Sequence, residues 1–233
     1  MAPTNNENGS RHVISLGGSL LYEGAVLDLQ FLKNLQTLLR ARVAVGDQFI
    51  IIVGGGYVSR QYQKALRELG AVDVDLDWVG IHACRLNAQL LRLLLKDISH
   101  PDILLTHEAL AKAAEPIVFA GGFLPGGSSD HVSVELAKAG GAQSIINMTN
   151  TSYVYDKDPA LYPDAVAFED LTWEAFAELI PKHWSPGLHT PFDPEAAAEA
   201  HRSGIEVAII GKDITNLATL LNGGVYIGTK LHA

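Results

Sequence analysis

A mainly parallel, layered α/β sheet is the fold class this sequence predicts, and three observations predict it. Apolar runs of strand length alternate with segments of helical periodicity along the chain. The run Phe49-Ile50-Ile51-Ile52-Val53 has no apolar/polar alternation, the mark of a parallel strand covered on both faces. Strand ends open into the glycine clusters Gly17-Gly18, Gly54-Gly55-Gly56 and Gly121-Gly122. In an open parallel sheet, ligands sit beyond the carboxyl ends of the strands.

The elements follow in order. Residues 12–16 form a short strand into Gly17-Gly18-Ser19, and residues 28–45 carry leucines at helical spacing. After Gly46-Asp47 comes the strand 49–53, then a helix over 57–69 with Arg60 in its first turn. The acidic run 73–77 reads as a linker before a long helix over 78–95. Residues 103–113 read as a short strand and helix, and 116–120 as a buried strand. A helix runs from Asp130 to about residue 139, stopped by Gly140-Gly141, and 144–148 is the next strand. The loop 149–159 is polar and turn-rich. Residues 171–180 form a helix, 181–194 an irregular stretch, 194–202 a helix, 205–210 a buried strand, 216–221 a last helix and 225–229 a terminal strand. With no internal repeat and no interior linker, 1–233 is expected to be one domain of two lobes, with 1–10 a flexible leader.

Composition narrows the function classes. A formal net charge of −9 argues against non-specific binding to nucleic acid or anionic membrane, yet leaves room for a phosphate held by local donors. The single Cys84 excludes an intrachain disulfide and fits a reducing compartment. No apolar run approaches the ~20 residues that span a bilayer, and the polar N-terminus lacks the apolar core of a secretory signal. A cytoplasmic location is expected. The nine histidines, His183 and His189 among them, show no metal-site spacing such as His-Glu-x-x-His, so no protein-held metal cluster is expected.

The stretch from Ala120 to Glu135 carries the functional signal. A buried strand empties into a glycine- and proline-rich loop, and Ser128-Ser129-Asp130 then opens a helix. Glycines let backbone N–H groups approach an anion, and a helix start adds unpaired donors and a positive dipole end. Asp130, expected in an exposed loop, would repel a bare phosphate and should therefore face a cation. That pairing points to phosphoryl transfer more than passive phosphate binding. Neither Gly-x-x-x-x-Gly-Lys-Ser/Thr nor Gly-x-Gly-x-x-Gly after a strand occurs, so the chain is neither a P-loop protein nor a standard dinucleotide binder.

Several motifs then fall into a familiar order. Gly17-Gly18-Ser19 is followed by Gly54-Gly55-Gly56 with Arg60 and Tyr62, and by Gly80-Ile81 with Arg85-Leu86-Asn87-Ala88. Pro125-Gly126 with Ser128-Ser129-Asp130, Thr149-Asn150 with Tyr155 and Asp158-Pro159, and Gly228-Thr229 complete the series. From about residue 12 to 231 the chain resembles the amino acid kinase superfamily and, within it, uridylate (UMP) kinases of the archaeal type. The resemblance implies a three-layer αβα sandwich with a phosphate-acceptor lobe over about 12–135 and an ATP-binding lobe over about 136–233. It implies transfer of the ATP γ-phosphoryl group to UMP with Mg²⁺, in hexamers built from dimers.

Carried over by position, Gly55, Asp77 and the loop Phe123, Leu124, Pro125, Gly126, Gly127, Ser128 and Ser129 would line the UMP site. Gly18, Ser19, Gly56, Arg60, Thr149, Asn150, Tyr155 and Asp158 would contact ATP. Asp130 and Arg60 would be catalytic. Departures stand beside these matches. Asn150-Thr151-Ser152-Tyr153-Val154-Tyr155 takes the place of Asn-Val-Asp-Gly-Val-Tyr, so that a tyrosine replaces a glycine, and a positive φ there would strain the loop. Phe123-Leu124 stands where polar residues are usual, Ser128-Ser129 replaces a threonine pair, Cys84 a threonine, and Ser15 a first-strand lysine. The cations available are Arg60, Lys157, Lys212 and Mg²⁺. A kinase for another small acceptor, or a nucleotide- or oxyanion-binding protein without transfer activity, stands as the alternative.

Overall fold

The computed structural model describes residues 9–183 and 190–233. Most of the expected leader, and His189, lie outside them. The chain opens with β1 (Arg11–Leu16), a 3-10 turn (Gly18–Leu21) and the small hairpin β2 (Tyr22–Glu23) and β3 (Val26–Leu27), then α1 (Leu29–Ala44), capped by the Asp28 side chain. β4 (Gln48–Val53), α2 (Gly56–Glu68) and α3 (Asp73–Leu94) follow, then β5 (Ile117–Ala120) and α4 (Ser129–Gly140). The second half holds β6 (Ser144–Met148), the short pair β7 (Val154–Tyr155) and β8 (Ala167–Phe168), β9 (Asp170–Thr172) and α5 (Trp173–Leu179). α6 (Pro194–Arg202), β10 (Glu206–Ile210), α7 (Ile214–Leu221) and β11 (Thr229–His232) close it.

Seven strands form one sheet in the order β5-β4-β1-β6-β10-β11-β9. All neighbours pair parallel except β10 with β11. Alternate residues of the buried strands feed opposite layers. Ile50 and Ile52 join Val134, Leu136 and Ala197 from α4 and α6, while Phe49, Ile51 and Val53 join Leu35, Leu91 and Leu217 from α1, α3 and α7. Burial on both faces is why Phe49–Val53 shows no alternation, and the expected three-layer sandwich is what forms.

Three boundaries differ from the sequence reading. The acidic run 73–77 is not a linker but the first turn of α3, where Asp73 and Asp75 sit favourably at the positive end of the helix dipole and Leu76 is buried. The stretch 225–228 is irregular, with Val225 99% exposed, and the terminal strand starts at Thr229 and runs antiparallel. Residues 103–113 hold only a single bridge from Leu104 to Ala120 and a 3-10 turn, Glu108–Lys112. Among the described residues, no helix is long and apolar enough to cross a membrane.

Candidate functional site

The glycine turns meet. A Cβ added to Gly18 would fall 2.0 Å from the Gly54 carbonyl oxygen, and one on Gly56, at φ +59°, 2.3 Å from the Gly18 backbone. Only glycine allows the turns after β1 and β4 to lie in backbone contact. Asn87 of α3 fixes the second turn, its Nδ2 donating to Gly54 O at 2.8 Å and Gly55 O at 3.1 Å while its Oδ1 accepts from the Tyr22 hydroxyl at 3.1 Å. The loop after β5 is held by the same helix. Arg85 donates to Gly122 O at 3.1 Å and Phe123 O at 2.9 Å, and Asp77 Oδ2 accepts from Gly126 N at 2.9 Å. Burial, only partly offset by that N–H, pushes the Asp77 carboxyl above the usual range.

These turns border one cleft of about 560 Å³ at the carboxyl ends of the central strands. Gly18, Ser19, Gly55, Gly56, Arg60, Asp77, Gly127, Ser128, Ser129, Asp130, Thr149, Asn150, Tyr155 and Asp158 all line it. Phe123, Leu124, Pro125 and Gly126 do not stand on its wall. Phe123 packs into the core beside Val132 and Val134, and Leu124 is 70% exposed to solvent. Ser128, not Ser129 or Asp130, caps α4 by accepting from His131 N at 3.2 Å.

Asp130 differs most from expectation, because its carboxylate is withdrawn rather than displayed on a loop. Oδ1 accepts from Ser15 Oγ at 2.8 Å and Oδ2 from Asp193 N at 3.1 Å. Burial pushes its pKa up to about 6, helped by the neighbouring Asp193 and opposed by the Ser15 hydroxyl. Asp193 caps α6 and is itself raised by burial. Two buried carboxylates this close favour a cation nearby. Of the candidate cations, Lys212 turns to Asp28 at 2.6 Å and over the Phe31 ring, away from the cleft wall. Lys157 lines the cleft but is paired with Asp164 at 2.8 Å. Arg60 lines the cleft with no ion-pair partner among the described residues.

The loop after β6 is intact despite its altered sequence. Ser19 Oγ donates to Asn150 Oδ1 at 2.8 Å, and Thr149 Oγ1 accepts from Thr151 N at 3.1 Å. Among the described residues none but glycine has a positive φ, so Tyr153 sits there without the strain its position suggested. Burial pushes the Cys84 thiol up to about 11, which removes it as a nucleophile near neutral pH. Sequence reasoning missed Ser15, Asn147 and Asp193. Ser15 and Asn147 are paired in register on β1 and β6, and Asn147 Nδ2 donates to Pro191 O at 2.6 Å. Single polar residues inside apolar parallel strands were the available signal for Ser15 and Asn147, and an Asp before the Pro194 that opens α6 was the signal for Asp193.

Comparison with known proteins agrees with this geometry. The sequence profile of the amino acid kinase family matches residues 10–211. The chain is similar to the uridylate kinase of Methanobrevibacter smithii, 34% identical over 225 residues covering 94% of this chain and 97% of that protein. It is also similar to the uridylate kinase of Methanothermobacter thermautotrophicus, 36% identical over 219 residues, 92% and 96% of the two chains. The crystal structure of uridylate kinase from Archaeoglobus fulgidus superposes with a TM-score of 0.79 at 30% identity, covering 94% of this chain and 98% of that one. A family profile matched over residues 10–211 and relatives 34% and 36% identical across more than nine-tenths of the chain show that this chain belongs to the amino acid kinase family.

Proposed function

We propose that the chain transfers the γ-phosphoryl group of ATP to UMP, giving UDP. An anionic phosphate oxygen of UMP attacks the γ-phosphorus, the bond to the β–γ bridging oxygen breaks, and ADP leaves with that electron pair. No strong base is required, since the attacking oxygen already carries charge. The protein's task is alignment and neutralisation. In this reading the touching turns at Gly18 and Gly56 offer backbone N–H groups to the non-transferring oxygens. Arg60, one turn into α2, forks onto phosphate oxygens. Ser128 and Ser129, at the start of α4, donate to the UMP phosphate with the helix dipole behind them.

Mg²⁺ neutralises the ATP phosphates when bound. The chemistry of the site fits it, because the desolvated Asp130 carboxylate needs a cation to be stable in its charged form. Asp130 is therefore the residue that would face the metal. Among the described residues no group of three or more His, Cys, Asp or Glu side chains could hold a metal, so Mg²⁺ would come to Asp130 together with the nucleotide and its phosphates.

The single observation that carries this reading is convergence. Turns from β1, β4, β5 and β6 open on one cleft rather than on separate surfaces. The loop after β5 and the loop after β6 leave strands on opposite sides of the β4–β1 pair, which supports an acceptor lobe over about 12–135 and an ATP lobe over about 136–233. A coupled assay with ATP, Mg²⁺ and a panel of nucleoside monophosphates and small acids tests it. UDP formation from UMP at the highest kcat/KM is expected; turnover only on a non-nucleotide acceptor, or none at all, overturns it. The same reading places the enzyme in the cytoplasm as a hexamer of three dimers. Val74, Trp78, Leu86 and Leu93, exposed apolar side chains on α3, support contacts between copies. Light scattering should return six chains, and a monomer would refute the assembly.

A further inference from the structure

We propose that Tyr153 is a donor-binding residue whose ring stacks on the base of the phosphoryl donor. The inference rests on the reading of the cleft as a site for ATP and UMP, and three observations carry it further.

The first is the order of loops along the sheet. Strands β5, β4, β1 and β6 are neighbours, spaced about 4.8 Å apart. The touching glycine turns belong to the middle pair, and Asp130 is hydrogen-bonded to Ser15 of β1. Phosphates resting on those turns leave a donor nucleoside to extend towards the segment after β6, away from the acceptor loop. Tyr153 lies in that segment and on the cleft wall.

The second observation is charge. Asp156 and Asp158 also line this end of the cleft, and Lys157 there is already paired with Asp164. Carboxylates repel phosphate oxygens, so this end suits a neutral base and a ribose rather than a phosphate chain.

The third is the ring geometry. Tyr153 meets Tyr155 edge-on, with centroids 6.2 Å apart and planes at 88°. Whichever ring presents its edge, Tyr153 keeps a face that Tyr155 does not cover, and a π-face accepts any planar base. The backbone holds it there without a positive φ, so the ring is presented without strain.

The test is titration calorimetry of ATP and of tripolyphosphate with the wild-type protein, Tyr153→Phe, Tyr153→Leu and Tyr153→Ala, alongside KM for UMP. Tyr153→Leu and Tyr153→Ala should weaken ATP binding by roughly tenfold, the scale of one base–aromatic stack. Tyr153→Phe should bind ATP as wild type does, and tripolyphosphate affinity and the KM for UMP should stay unchanged in all three. ATP affinity unchanged in Tyr153→Leu and Tyr153→Ala overturns the stacking role, as does an equal loss of tripolyphosphate. A wild-type protein that turns UMP over while Tyr153→Leu keeps its ATP affinity refutes this inference alone. A wild-type protein that binds no ATP refutes the donor site as well.

Discussion

Asp130 shows how burial and chemistry pull against each other at a single residue. Its carboxylate receives the Ser15 hydroxyl and the Asp193 N–H, yet desolvation outweighs both and lifts the pKa to about 6. The folded protein therefore holds this proton over a window where the unfolded chain has lost it, from its ordinary value of 3.8 up to about 6. The stability this contributes is present at low pH and is lost as pH rises through 6. Asp130→Asn removes the charge while keeping the shape. Its Tm relative to wild type should thus rise as pH increases from 5 to 8, and kcat should fall by roughly a hundredfold or more at constant fold. Thermal scans at both pH values with a steady-state assay check this. A wild-type kcat removes Asp130 from the mechanism, and a Tm difference independent of pH removes the desolvation argument. That Asp130 mattered was legible, because glycines, serines and an Asp at a helix start have few bland explanations. Its withdrawal was not legible. Ser15 and Asp193 lie 115 and 63 residues away in sequence, and only the packing of α4 against both β1 and α6 brings them together.

At the scale of the element, α3 organises the cleft wall formed by the loop after β5 and the turn after β4. Asp77, Arg85 and Asn87 project from one helix and reach the loop after β5 and the turn after β4. Asp77 and Arg85 are eight residues apart, so the helix spans that loop over about 12 Å. The sequence yielded the helix from Trp78 onward, but three aspartates within five positions read as a solvated linker. The dipole at a helix start makes Asp73 and Asp75 favourable there, and that balance is invisible until Leu76 is seen buried. Arg85→Met keeps the stem of the side chain and removes both donors, leaving the Gly122 and Phe123 carbonyls unpaired at a cost of about 1–3 kcal/mol. The loop carrying Ser128 should then be held less firmly. The KM for UMP should increase by about tenfold, the kinetic equivalent of ~1.4 kcal/mol, while the KM for ATP stays within about twofold. Equal increases in both constants would show that Arg85 supports the whole cleft and not the acceptor loop alone.

At the scale of the molecule, the sheet separates function from anchoring. Its layered class was legible from strand periodicity and glycine-ended strands. The strand order and the antiparallel β11 were not, because they are set by which helix covers which edge. The cleft occupies the carboxyl ends of the central strands, and a polar knot around the buried Asp47 sits at their amino ends. There Asp47 accepts from Arg42 Nε and from Ser10 N, Arg42 reaches Asn222 and the Leu221 carbonyl at the end of α7, and His12 stacks on Phe49 with its Nε2 3.5 Å from Asp47. Burial lowers the His12 pKa below its ordinary 6.5, with Asp47 opposing and Arg42 assisting. A histidine depressed in the folded state refuses a proton that the unfolded chain accepts. Its penalty is absent above pH 6.5 and grows as pH falls below it. Asp130 works with the opposite sign across the neighbouring window, so the His12 contribution is read as a difference between variant and wild type. His12→Leu keeps an apolar neighbour for Phe49 and cannot titrate. Its Tm should therefore fall less than that of the wild type between pH 7 and pH 5, with kcat and both KM values at pH 7.5 unchanged because the knot lies at the far end of the sheet from the cleft. Parallel Tm curves would show that His12 does not set the acid sensitivity of the fold, and altered KM values would show that the two ends of the sheet are coupled.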